Sequence, residues 1–157
     1  MKERGAIAAP RRLRRILHAT DFSAASRGAF RMAVDLARRE RATLLLLHVL
    51  TPSSPFAVAA GPVPSSYLAL LEAARRETRI RLAGALTRAR DAGTRARAQL
   101  VAGGPAAEIL RIGRHWRPDL IVIGTHGRSG VSRLFMGSVA EDVVRRASRP
   151  VLTVRGH

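Results

Sequence analysis

The sequence predicts an α/β fold, a doubly wound parallel sheet with helices on both faces, and three observations lead there. Five short strand-like runs alternate with four helical patterns along the chain. Two of those runs, TLLLLHVL (43–50) and DLIVIGT (119–125), are apolar almost without a break, as strands buried on both faces of a parallel sheet must be. A length of 157 residues, 46% of them hydrophobic and 25% charged, suits one folded domain around a single core.

The first strand is RILHAT (15–20). A helix from Ser23 follows, with Phe30, Ala33, Val34 and Ala37 at the spacing of one apolar face. After the second strand, TPSSPFAVAAGPVPSS (51–66) is rich in Pro, Ser, Gly and Ala and reads as a mobile lid or simply a disordered linker. A long helix from about Ser66 to Asp91 stops near Gly93, and RARAQLV (95–101) is a weaker third strand. PAAEILRIGRHW is a helix opened by Pro105, where the missing N–H costs nothing. DLIVIGT is the fourth strand, a helix runs from Gly137 to about Ala147, and PVLTV (150–154) closes the set. Residues 1–12 read as a basic flexible arm and 13–157 as the single domain.

The arm lacks the ~7 to 15 apolar residues of a secretory signal, and no apolar run approaches the ~20 residues of a membrane span. A cytoplasmic protein without a membrane partner is therefore expected. With no cysteine, disulfides, thiolate metal sites and a thiol nucleophile are excluded. The net charge of +17 is spread over nearly every helical segment and carried almost wholly by arginine, while aromatic residues make up only 4%. That pattern favours a solvated basic surface over a dedicated nucleic-acid face, which would cluster its cations and offer rings for base stacking.

In a doubly wound sheet, ligands bind beyond the carboxyl ends of the strands where strand order reverses. The turn after the first strand, ATDFS, has no glycine, so the dinucleotide fingerprint is missing there. The glycines lie after the fourth strand, in GTHGRSGVSRLFMGSV (124–139). No Lys precedes Ser138 as a Walker A loop requires, GRSG is too short for a nucleophile elbow, and no HExxH or close His/Asp cluster points to a built-in metal site. Two readings fit the loop. In one, Gly124, Gly127 and Gly130 let backbone approach a ligand, Gly137 and Ser138 open a helix whose N–H groups face a phosphate, and Arg128 and Arg133 neutralise it. In the other, the glycines only make turns, and Ser138 with Glu141 forms a capping box. Asp21 likewise reads as a ligand acceptor or a helix cap. His48 reads as a hydrogen-bonded core histidine, His126 as a loop residue facing ligand or solvent, and Trp116 as packing at a helix end.

The spacing of glycine, two residues, glycine, nine residues, glycine, serine from Gly124 to Ser138 resembles the ATP-binding signature of the universal stress protein family. RILHATDFS resembles that family's first strand and turn, LLLLHV its second strand and RPVLTV its last, so the similarity covers about Arg14 to Val154. The resemblance implies a Rossmann-like sheet of order 3-2-1-4-5 and a bound ATP whose phosphates carry Mg²⁺ or Mn²⁺. It implies that Ala19, Thr20 and Asp21 line the adenosine end, with the backbone of Val49 beside the base; Ala19 stands where many members have proline. Gly124, Thr125, His126, Gly127 and Arg128 would wrap the ribose and first phosphates, and Gly137, Ser138 and Val139 the outer phosphates. It further implies a homodimer joined at the C-terminal edge strand and a regulatory role in stress response. Hydrolysis or self-phosphorylation would at most be slow, since nothing after Gly127 in the loop supplies a carboxylate to orient water.

Overall fold

The computed structural model describes residues 12–51, 65–125 and 137–155. Five strands, β1 (Arg15–Ala19), β2 (Thr43–Leu50), β3 (Arg95–Ala102), β4 (Leu120–Gly124) and β5 (Val151–Val154), alternate with four helices, α1 (Ala24–Glu40), α2 (Ser65–Asp91), α3 (Pro105–Trp116) and α4 (Ser138–Arg146). The strands form one sheet of order β3-β2-β1-β4-β5 with every described pairing parallel. Fold class, strand order and helix number are those expected, with boundaries within about two residues. Of the basic arm, residues 1–11 lie outside the described residues, and Arg12 donates from Nε to the carbonyl of Glu40 at the end of α1. Most of the expected linker, 52–64, also lies outside them.

The pleat divides the core in two. Ile16, Leu44, Leu46, Ala96 and Val122 face α1 and α2, where they meet Ala29, Ala33, Ala37, Leu82, Ala85 and Ala89. Leu17, Leu45, Leu47, Ile121 and Ile123 face α3 and α4, against Ile109, Ile112, Ala140 and Val143. Alternation of side chains along a strand is the reason two such layers come from the same five strands. The alanine stripe of α1 draws that helix close to the sheet. Close approach reaches its limit at Gly124, where a Cβ atom would lie 3.0 Å from the carbonyl carbon of Ala25 and 3.1 Å from the nitrogen of Ser26. Packing of β4 on the first turn of α1 is thus by itself a reason for glycine at 124.

The basic surface is laced with ion pairs inside single helices. Asp35 meets Arg39 at 2.9 Å, Glu108 meets Arg111 at 2.7 Å and Glu141 meets Arg145 at 2.7 Å. Pairs of this kind on exposed helix faces contribute a few tenths of a kcal/mol each and disperse the charge. No described helix is long and apolar enough to cross a membrane.

Candidate functional site

Where the strand order reverses, between β1 and β4, the carboxyl ends of the strands open into a crevice of about 550 Å³. That volume falls in the range of small-molecule sites, about 300 to 1,000 Å³. Residues far apart in sequence meet there. Ala19, Thr20 and Asp21 come from the end of β1, and Val49 from β2. Gly124 and Thr125 end β4, while Gly137, Ser138 and Val139 open α4. The other expected ligand residues, His126, Gly127 and Arg128, lie outside the described residues.

The β1 end is tightly braced. Thr20 donates its N–H to Leu47 at 2.9 Å, its Oγ1 lies 2.7 Å from the Ser26 hydroxyl, and Oγ1 also accepts from the N–H of Phe22 at 3.1 Å. Asp21 is not the helix cap that one sequence reading allowed. Ser23 caps α1 through its hydroxyl, which accepts from the N–H of Ser26, and Asp21 Oδ1 accepts from the N–H of Ser23 in the turn before it. His48 is a hydrogen-bonded core histidine as expected, 7% exposed with Nδ1 2.7 Å from the carbonyl oxygen of Thr20, and it also lines the crevice.

At the opposite end the capping box does not form. Ser138 is the first helical residue and Gly137 is the N-cap, without a side-chain cap bond. Glu141 is thus one residue too far along the helix to reach back to the cap, and its carboxylate pairs with Arg145 instead. The N–H of Gly137 donates to the carbonyl of Thr125 at 2.6 Å. The donors turned to the mouth of α4 are therefore the first-turn N–H groups of Ser138 and Val139, which have no carbonyl one turn back within the helix. With the positive end of the helix dipole, they suit a phosphate or another anion.

Two features of the crevice, and one buried residue of β1, escape a reading of the sequence. Phe22 has φ 62°, a left-handed conformation that a bulky residue seldom adopts, and its ring stacks on His48 with centroids 4.7 Å apart. Ala74, Glu77, Thr78 and Arg81 of α2 form a further wall. Burial along α2 accounts for that wall. The buried residues of α2, Leu82, Ala85 and Ala89, all sit in its C-terminal half, so the same face earlier in the helix must overlook something other than the core. His18, fully buried in β1, places Nδ1 3.1 Å from the carbonyl oxygen of Val122, and burial lowers its pKa to about 4.

Comparison with known proteins agrees with the geometry. The chain is 32% identical over 142 residues to the universal stress protein MJ0531 of Methanocaldococcus jannaschii, spanning 90% of this chain and 82% of that one. Its fold is similar to the structure of the protein MJ0577 from the same organism, with a TM-score of 0.79 and 25% identity over 92% of this chain and 96% of that one. A universal stress protein from Archaeoglobus fulgidus, solved in complex with dAMP, shares the fold with a TM-score of 0.63 and 22% identity over 92% of this chain and 99% of that one. The sequence profile of the universal stress protein family matches residues 12–155, and the chain belongs to that family.

Proposed function

We propose that this chain is an ATP-binding regulatory module that acts in the cytoplasm in stress response, as a homodimer. The observation that carries the reading is the convergence of Asp21, Val49, Gly124 and the first turn of α4 on one crevice at the switch point of the sheet. The adenosine end would lie against Ala19–Asp21 and the backbone of Val49. The phosphates would meet the N–H groups and hydroxyl at Ser138 and the N–H of Val139. The dAMP held by the fold neighbour is an adenine nucleotide and agrees with this choice of ligand class. Mg²⁺ or Mn²⁺ would be carried by the phosphates, as the family resemblance implies.

Regulation is favoured over turnover because the described phosphate-end residues offer amides and hydroxyls, groups that bind charge but do not take a proton from water. Binding would order the crevice walls and so alter the surface seen by a partner. Denaturing the purified protein and separating the supernatant by anion-exchange chromatography tests the reading, and co-purifying ATP is the expected result. Protein that arrives without nucleotide and gives no calorimetric response to ATP with Mg²⁺ overturns it.

A further inference from the structure

The α2 wall carries a pairing of groups that the family signature does not include. The guanidinium of Arg81 lies over the ring of Phe22, 5.4 Å from its centroid, and Phe22 in turn stacks on His48 with 25° between the planes. Arg81, Phe22 and His48 thus join α2, the turn after β1 and strand β2 in one stack at the end of the crevice where Asp21 and Val49 lie. The stack is held at a cost. Phe22 keeps its left-handed backbone, fixed by the bond from its N–H to Thr20 Oγ1, and strain of this kind gathers where a ligand is received. Beside Arg81, one helical turn back, stands Glu77, its Oε1 3.9 Å from Arg81 Nε.

Arginine only donates hydrogen bonds and an ionised carboxylate only accepts them. Arg81 and Glu77 therefore present a donor next to an acceptor. Adenine offers the complement on one edge, an acceptor at N7 beside a donor at the N6 amino group, whereas guanine offers two acceptors there, N7 and O6. The geometry points to Glu77 as the residue that selects adenine over guanine in this chain, accepting from the N6 amino group where guanine presents O6, with Arg81 beside it donating to N7, an acceptor both purines share, and so placing the base. The inference rests on the adenine-nucleotide reading of the crevice. It adds a base-selecting wall made by side chains of α2 to an adenosine end otherwise built from β1 and β2.

Both side chains are partly open to water, with 46% of the Arg81 side chain and 73% of Glu77 exposed, so the effect of each is modest. The test is calorimetric titration of ATP and GTP, each with Mg²⁺, into wild type, Arg81→Ala, Arg81→Lys and Glu77→Lys, with circular dichroism to establish folding. Arg81→Ala is expected to weaken ATP and GTP alike, about fivefold, the worth of one hydrogen bond to N7. Arg81→Lys keeps the charge but not the planar fork, and should restore only part of the loss. Glu77→Lys replaces the acceptor by a donor and should shift the ATP-to-GTP ratio toward GTP, the ratio cancelling the general gain from an added positive charge. If wild type binds ATP and the ATP-to-GTP ratio is unchanged in the folded Glu77→Lys protein, or the folded Arg81→Ala protein binds ATP as well as wild type, this inference falls and the nucleotide reading stands. If wild type binds no adenine nucleotide, both fall.

Discussion

The backbone N–H of Gly137 donates to the carbonyl oxygen of Thr125 across 2.6 Å and fixes the start of α4 beside the end of β4. That bond occupies the Gly137 donor and leaves the proposed phosphate cradle to Ser138 and Val139. A proline at 138 separates cradle from fold. Proline is favoured at the first helical position, and Gly137, with φ −61° and ψ 148°, already has the extended backbone that a residue before proline prefers. Ser138→Pro should therefore keep the stability of wild type while losing about tenfold or more in ATP affinity, because a donor to an anion is deleted. Ser138→Ala, which keeps the N–H, should lose less. Equal ATP affinities for the two variants in calorimetry would show that the α4 backbone does not hold phosphate.

Gly124 predicts a different outcome, a loss of stability. The atoms that a Cβ would meet belong to the backbone of Ala25 and Ser26, which cannot rotate aside as a side chain can. Gly124→Ala should cost about 1 to 3 kcal/mol by forcing the first turn of α1 away from β4. Urea unfolding measures it, and a midpoint equal to that of wild type sinks the argument.

Those two positions show what was legible in the sequence. The strands could be read because TLLLLHVL and DLIVI are too short and too apolar for surface helices, and the helix ends because Gly93 and Pro105 punctuate them. The residues that converge on the crevice were legible only through the spaced glycines and their family resemblance. What stayed hidden depends on contacts between distant segments. The proximity of Gly124 to Ala25 is invisible in GTHG, the capping box fails by a single residue of helix phase, and the α2 wall arises because that helix outruns the strands beneath it. His18 was passed over because RILHAT shows a histidine but not that both faces of its strand are covered.

That buried histidine makes stability depend on pH. Desolvation by burial holds the pKa of His18 near 4, against 6.5 for an exposed histidine, while the carbonyl of Val122 and the charge of Asp21 act more weakly in the opposite direction. Between those two values the unfolded chain binds a proton that the folded chain refuses. The contribution of neutral His18 is thus complete above about pH 6.5, declines as pH falls, and is exhausted near pH 4, in total about 3 kcal/mol. His18→Asn keeps an N–H for the Val122 carbonyl and removes the titration. Urea unfolding from pH 7.5 to 4 should show a smaller acid loss for the variant than for wild type, and parallel curves would exclude His18 as the cause.

The two edges of the sheet differ in a way that predicts where a second copy docks. β3 carries Arg95 and Arg97 exposed on its edge, a charged border that discourages strand addition, whereas β5 is Val151-Leu152-Thr153-Val154, uncharged and only half-buried. The carbonyls of Pro150 and Val154 accept from Ile121 and Thr125 of β4, so residues 150, 152 and 154 turn their backbone groups inward and 151 and 153 turn theirs outward. Val151→Pro therefore removes a donor from the free edge without touching the β4 ladder. If the homodimer forms through β5, light scattering at micromolar concentration should give a dimer for wild type and a shift toward monomer for Val151→Pro. Circular dichroism should be unchanged. A wild type that is monomeric at that concentration, or a folded variant that dimerises as well as wild type, would place the interface elsewhere or remove it.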